Sequence, residues 1–124
     1  LSAYVTENGL GGSEVILYGN IPSLSFYLGM PSAFNPWSDL ASYKTSVLKE
    51  ALSVLSHPPV IILEAKYVRF LSRGEEGLLQ AGYTEKEASV VAADGKFAAI
   101  AVYMDELGYT QQFCNEKFSL YEVK

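Results

Sequence analysis

The chain has 124 residues, 49% of them apolar, which suits one domain with a real core and no linker or repeat. A net charge of −5, with nine Lys and Arg scattered along the chain, argues against a nucleic-acid partner and against acidic lipid surfaces. One Cys and one His exclude an internal disulfide and the usual structural zinc site, and neither a metal nor a cofactor is expected.

The opening "LSAYVTEN" reads as the tail of a helix, and with a start on Leu it predicts a fragment of a longer protein. "NGLGGS" comes before the first strand. A phosphate-binding glycine loop has to follow a strand and open a helix, so this segment is read as a turn. "EVILYG", Glu14 to Gly19, is short, apolar and bounded by turn residues, which predicts a buried parallel strand. Pro22 suits a helix start, and "SLSFYLG" makes about two turns ending at Gly29. "MPSAFN" is a second strand candidate.

A helix is expected from Ser38 to Ser56. Ser38 can cap it, Asp39 complements its dipole, and Leu40, Tyr43, Val47, Ala51 and Val54 or Leu55 recur at helical spacing. "HPP" stops it, and "VIILEA" is the next strand, apolar and rich in β-branched residues. Lys66 to Gly82, with Arg69, Arg73 and Gly-Glu-Glu-Gly, reads as irregular. "TEKE" at Thr84 to Glu87 is a capping box opening a helix, which Asp94-Gly95 splits in two. Phe97, Ile100, Ala101, Met104 and Leu107 form an apolar face, and Gly108 ends it. The tail alternates about Asn115-Glu116 and predicts a β-hairpin.

Strands alternating with helices predict an α/β three-layer sandwich: a mostly parallel, Rossmann-like sheet with a C-terminal antiparallel hairpin, all within one soluble domain, 1–124. The longest apolar run, "PPVIIL", is strand-sized and far short of the roughly 20 residues of a membrane span.

Ligands of open α/β sheets bind beyond the carboxyl ends of strands, which selects the turn after the first strand. There Asn20 and Ser23 are the candidate ligand-binding residues, although the turn has neither the three-glycine fingerprint nor a Lys. Phe26, Tyr27, Phe34 and Trp37 can stack on a sugar or base, against core packing as the plainer role, with Trp37 as a helix staple. Glu64 ends a central strand, yet a single acid is not a mechanism, and no carboxylate pair of glycosidase type stands out. His57 is read as complementing a helix dipole, and Cys114 as a half-buried strand residue rather than a reactive thiol. No nucleophile elbow and no CxxC are present, so no catalytic residue is assigned.

Several motifs together resemble the C-terminal extracytoplasmic region of bacterial GT-C-type membrane glycosyltransferases, relatives of the dolichyl-phosphate-mannose protein mannosyltransferases. They are "YGN-P" at Tyr18 to Pro22, the aromatic segment Ser23 to Leu28, the "W-x-D-L-x-S-Y" helix start at Trp37 to Tyr43, "PPVIIL" at Pro58 to Leu63, and "F-x-LY" at Phe118 to Tyr121. Lys66 to Tyr83 has no counterpart in the resemblance.

The resemblance implies a non-catalytic domain on the extracytoplasmic face of a bacterial membrane. In such a family the catalytic carboxylate and the polyprenyl-phosphate-sugar donor site belong to the membrane part. The expected partner is therefore the transmembrane portion of the same parent chain, with the acceptor or the lipid-linked sugar nearby. The competing expectations are a free-standing sugar- or nucleotide-binding module using Asn20 to Ser23, and a small α/β enzyme.

Overall fold

A computed structural model describes residues 2–19, 28–31 and 44–123. Among these the order is α1 (Ser2–Glu7), β1 (Val15–Tyr18), α2 (Thr45–Leu52), β2 (Val60–Glu64), α3 (Ala65–Gln80), α4 (Glu85–Ala92), α5 (Gly95–Leu107), β3 (Tyr109–Cys114) and β4 (Phe118–Val123). The chain is a mixed α/β fold. Its four described strands form one sheet in the order β1-β2-β4-β3.

β1 and β2 run parallel, with Val15 opposite Val60 and Tyr18 opposite Leu63. β4 is antiparallel to both β2 and β3. The described sheet is therefore mixed, with one parallel pairing against two antiparallel ones, where a mostly parallel, Rossmann-like sheet was expected. The reason lies in the tail. Gly108 adopts a left-handed conformation (φ 75°) and ends α5. The hairpin that follows then docks its second strand directly on β2, taking the place a parallel neighbour would occupy. Asn115 closes the hairpin, its Oδ1 accepting from the amides of Lys117 and Phe118 at 2.8 and 2.9 Å.

Alternation along the strands divides the core between the two faces. Ile16, Tyr18, Ile61, Leu63 and Tyr121 point to the face covered by α2 to α5, where Leu48, Leu78, Val91, Phe97, Ile100 and Tyr103 meet them. Val15, Val60, Ile62 and Leu120 point to the other face, against Val5 of α1 and Leu28 and Met30. Each fully buried residue of this size contributes about 1.5–3 kcal/mol, and β2, with Ile61, Ile62 and Leu63 all fully buried, is one of the two interior strands of the described sheet, beside β4. The short piece 29–31 runs beside the entry to β1, since Pro31 O accepts from Val15 N at 2.9 Å and Gly29 O from Gly12 N at 2.9 Å.

Three helical expectations change. The helix expected over Ser38 to Ser56 is described from Thr45 to Leu52; Lys44 before it is extended (φ −104°, ψ 130°), and residues 38–43 lie outside the described part. Its buried residues are Leu48 and Leu52, while Ala51 and Val54 face solvent. Of the expected residues Val47, Ala51 and Val54 or Leu55, Val47 and Leu55 do pack against the core, while at Ala51 the face is turned toward Leu48 and Leu52 as α2 packs against α5 as well as the sheet: Thr45 Oγ1 donates to Ala99 O at 3.2 Å. The segment expected to be irregular is α3, two helical pieces joined at Gly74 (φ 64°, ψ −153°), a conformation open to glycine and costly for other residues. The capping box is present as expected. Thr84 Oγ1 accepts from Glu87 N at 3.1 Å and Glu87 Oε1 from Thr84 N at 3.0 Å. Asp94 separates α4 from α5 and caps the second, its Oδ1 accepting from Phe97 N at 3.0 Å.

Candidate functional site

The carboxyl ends of β1 and β2, the sole parallel pair among the described strands, converge on one group of side chains. Extending the β1–β2 register by one residue sets Gly19 opposite Glu64. Gly19 has φ 131°, and a methyl group in place of its hydrogen would overlap the Glu64 side chain. Glycine is required there twice over: for the backbone conformation and for the approach of the Glu64 carboxylate.

Beside this contact sits an aromatic cage. Tyr18 meets Tyr67 edge-on with ring centroids 4.8 Å apart. Phe97 lies 4.7 Å from Tyr67 and 5.6 Å from Tyr18. Tyr67 comes from the first turn of α3, immediately after β2, and its ring also carries the Lys66 ammonium at 5.4 Å. The Asp94 carboxylate joins the cage from the α4–α5 junction. It accepts from the Tyr18 hydroxyl at 2.7 and 2.6 Å, from the Tyr67 hydroxyl at 3.4 Å, and from Phe97 N. Burial, aided by the negative charges of Asp94 and Glu64, pushes the Tyr67 phenol up to about 12. It therefore stays protonated at neutral pH and donates rather than accepts.

Tyr18 and Tyr67 are buried and direct their hydroxyls at Asp94, so this arrangement ties the end of β1 and the start of α3 to the cap of α5. As a catalytic centre it is poorly suited: the Asp94 carboxylate is occupied by donors from the fold itself. Among the described residues no group of three His, Cys, Asp or Glu is placed to hold a metal ion. No helix among them is long and apolar enough to cross a membrane.

Asn20 and Ser23, the candidates read from the sequence, lie outside the described residues, as do Phe26, Tyr27, Phe34 and Trp37. Asn20 directly follows Gly19 in the chain. Glu64 does end a central strand, as expected. His57 is displaced from its expected role: α2 stops at Leu52, and His57 lies exposed beyond it in a cleft of about 670 Å³ with Glu14, Pro58 and Glu122. Five residues past the helix it is outside the reach of the dipole. Cys114 does lie in a strand, but it is exposed rather than half-buried. Tyr18, Tyr67 and Asp94 were not singled out in the sequence. An Asp followed by Gly and a helical apolar face was a legible cap, but its two tyrosine donors come from 76 and 27 residues away.

The chain matches no protein-family model, no curated protein and no solved structure. What can be said of its function therefore rests on its own residues.

Proposed function

We propose that the chain is a non-catalytic α/β domain of a bacterial GT-C-type membrane glycosyltransferase, one that uses a polyprenyl-phosphate-sugar donor and carries this domain on its extracytoplasmic face. The observation that supports this reading is where the resembling motifs fall. Tyr18, the first residue of "YGN-P", ends β1, the "VIIL" of "PPVIIL" lies in β2, and "F-x-LY" opens β4, so described parts of three motifs far apart in sequence fall on adjoining strands of one sheet, while residues 20–22 of the first lie outside the described residues. A scaffold leaves such a trace: the matched positions are core residues such as Tyr18, Ile61 and Leu120. The domain's role in this reading is to pack against the transmembrane portion of its parent chain and shape the side on which the acceptor, or the lipid-linked sugar, arrives.

The full-length gene tests the proposal. A series of upstream hydrophobic segments, each of roughly 20 residues, is expected. A reading frame that opens at Leu1 with no such segments would overturn it.

A second reading, a free-standing module for a sugar or nucleotide, is favoured by the Gly19–Glu64 contact at the carboxyl edge of the parallel pair. Titration of wild type and Asn20→Ala with candidate sugars and nucleotides tests it. Saturable binding that depends on Asn20 is the expected result, and no binding by wild type would dismiss it.

A further inference from the structure

We infer that the groove at the bend of α3 binds a phosphate group between Arg69 and Arg73. These are the two arginines of an acidic chain, and they lie four residues apart on the first half of one helix. That spacing puts side chains on one face, about 6 Å apart at their β-carbons. Together with Ser72, Gly77 and Gln80 they line a groove of about 440 Å³.

The groove is a product of the chain reversal at Gly74. The second half of α3 folds back until Gly77 rests on the first half. A Cβ there would stand 2.7 Å from Arg73 Cβ and 3.0 Å from Arg69 O. Gly74 supplies the left-handed turn and Gly77 the close return, so both glycines serve to bring Gln80 over the arginine pair. Gln80 Oε1 accepts from Arg73 Nη1 at 3.0 Å, which holds one guanidinium along the groove and leaves its other donors available. The Arg69 side chain is exposed and makes no hydrogen bond or ion pair among the described residues. A pair of guanidiniums with a hydroxyl nearby matches the tetrahedral oxygens of phosphate, which Arg engages through two parallel N–H bonds.

The surrounding carboxylates set the size of the ligand. Glu76 accepts from Gln80 Nε2 at 3.4 Å, and Glu87 and Glu116 line an adjoining groove on the other side of Arg69. A single compact phosphate can sit between the arginines; an extended polyanion would meet these acids. The inference is independent of the glycosyltransferase reading.

The test is an amide-shift titration of the 124-residue chain with inorganic phosphate at constant ionic strength, paired with sedimentation against phosphatidylcholine vesicles with and without phosphatidic acid. The expected result is saturable shifts confined to the segment 68–81. Arg69→Lys and Arg73→Lys keep the charge but lose the fork, and each should weaken binding roughly tenfold, the loss of about one charge-assisted hydrogen bond. Lys49→Gln, a cation removed elsewhere, should leave it unchanged. Saturation by inorganic phosphate assigns the site to free phosphate compounds. Binding only to vesicles containing phosphatidic acid, lost in both arginine variants, assigns it to a lipid headgroup. Shifts that grow linearly without saturating, or Lys variants that bind as wild type does by either probe, would overturn the inference. Both variants change exposed side chains, and their thermal midpoints report whether the fold is intact.

Discussion

The Tyr18 hydroxyl donates to the Asp94 carboxylate, lying 2.7 and 2.6 Å from its two oxygens across 76 residues of sequence. It joins the end of β1 to the cap of α5. A charge-assisted bond in a largely buried setting contributes about 1.5–3 kcal/mol. Tyr18→Phe should therefore lower the unfolding free energy by about 2 kcal/mol, measured by urea denaturation. Asp94→Ala should cost more, about 3 kcal/mol, because the cap of α5 is lost as well. The double variant should fall short of the sum, with a coupling of about 1 kcal/mol or more. Simple additivity would mean that the two groups do not act together.

Gly19→Ala places a methyl group against Glu64 at a backbone φ of 131°. Such a conformation costs a non-glycine residue about 1–3 kcal/mol before any overlap is counted. Glu64→Ala should not rescue it, since the Glu64 Cβ is part of the clash. Thermal melting of the single and double variants checks this, and recovery in the double variant would place the strain in the carboxylate alone.

The buried tyrosines make stability depend on pH at the alkaline end. Tyr67 is held at about 12, and burial also raises Tyr103 and Tyr109, the latter with its hydroxyl donating to Pro59 O at 2.6 Å. In the unfolded chain a tyrosine titrates near 10. The native state thus keeps protons that the unfolded state releases. Its stability is fully present below about pH 10 and falls as pH rises through about 12. Urea midpoints should be flat from about pH 7 to 9 and drop beyond about pH 10, with a shallower drop in Tyr67→Phe.

Ser119 is 1% exposed in β4, and among the described residues its hydroxyl has no hydrogen-bond partner. It sits opposite Leu63 on the helix-covered face. A buried hydroxyl without a partner costs about 1–3 kcal/mol. Ser119→Ala should be neutral or stabilising by about 1 kcal/mol, read from the same denaturation experiment. A loss of more than about 1 kcal/mol would mean that the hydroxyl has a partner in solution.

Local chemistry was legible in the sequence wherever it acts over a few residues. Short apolar runs bounded by turn residues marked β1 and β2. Thr84 and Glu87 satisfy each other's backbone three residues apart, Gly108 ends α5 by its own left-handed conformation, and Asn115 closes the hairpin with its side-chain oxygen. Other features were decided by partners distant in sequence. The described sheet is mixed because the C-terminal hairpin, a local unit, can dock on either edge of a parallel pair, and only the packing of both sheet faces places it on β2. The face of α2 turned on contact with α5, and α3 was hidden because Gly74 and Gly77 look like helix breakers until the chain folds back on Arg69 and Arg73. The Tyr18–Tyr67–Asp94 cluster has no spacing rule at all. Periodicity reports which residues leave water, whereas the partner that each meets there is chosen by the tertiary fold, since burial is non-directional and hydrogen bonds are not.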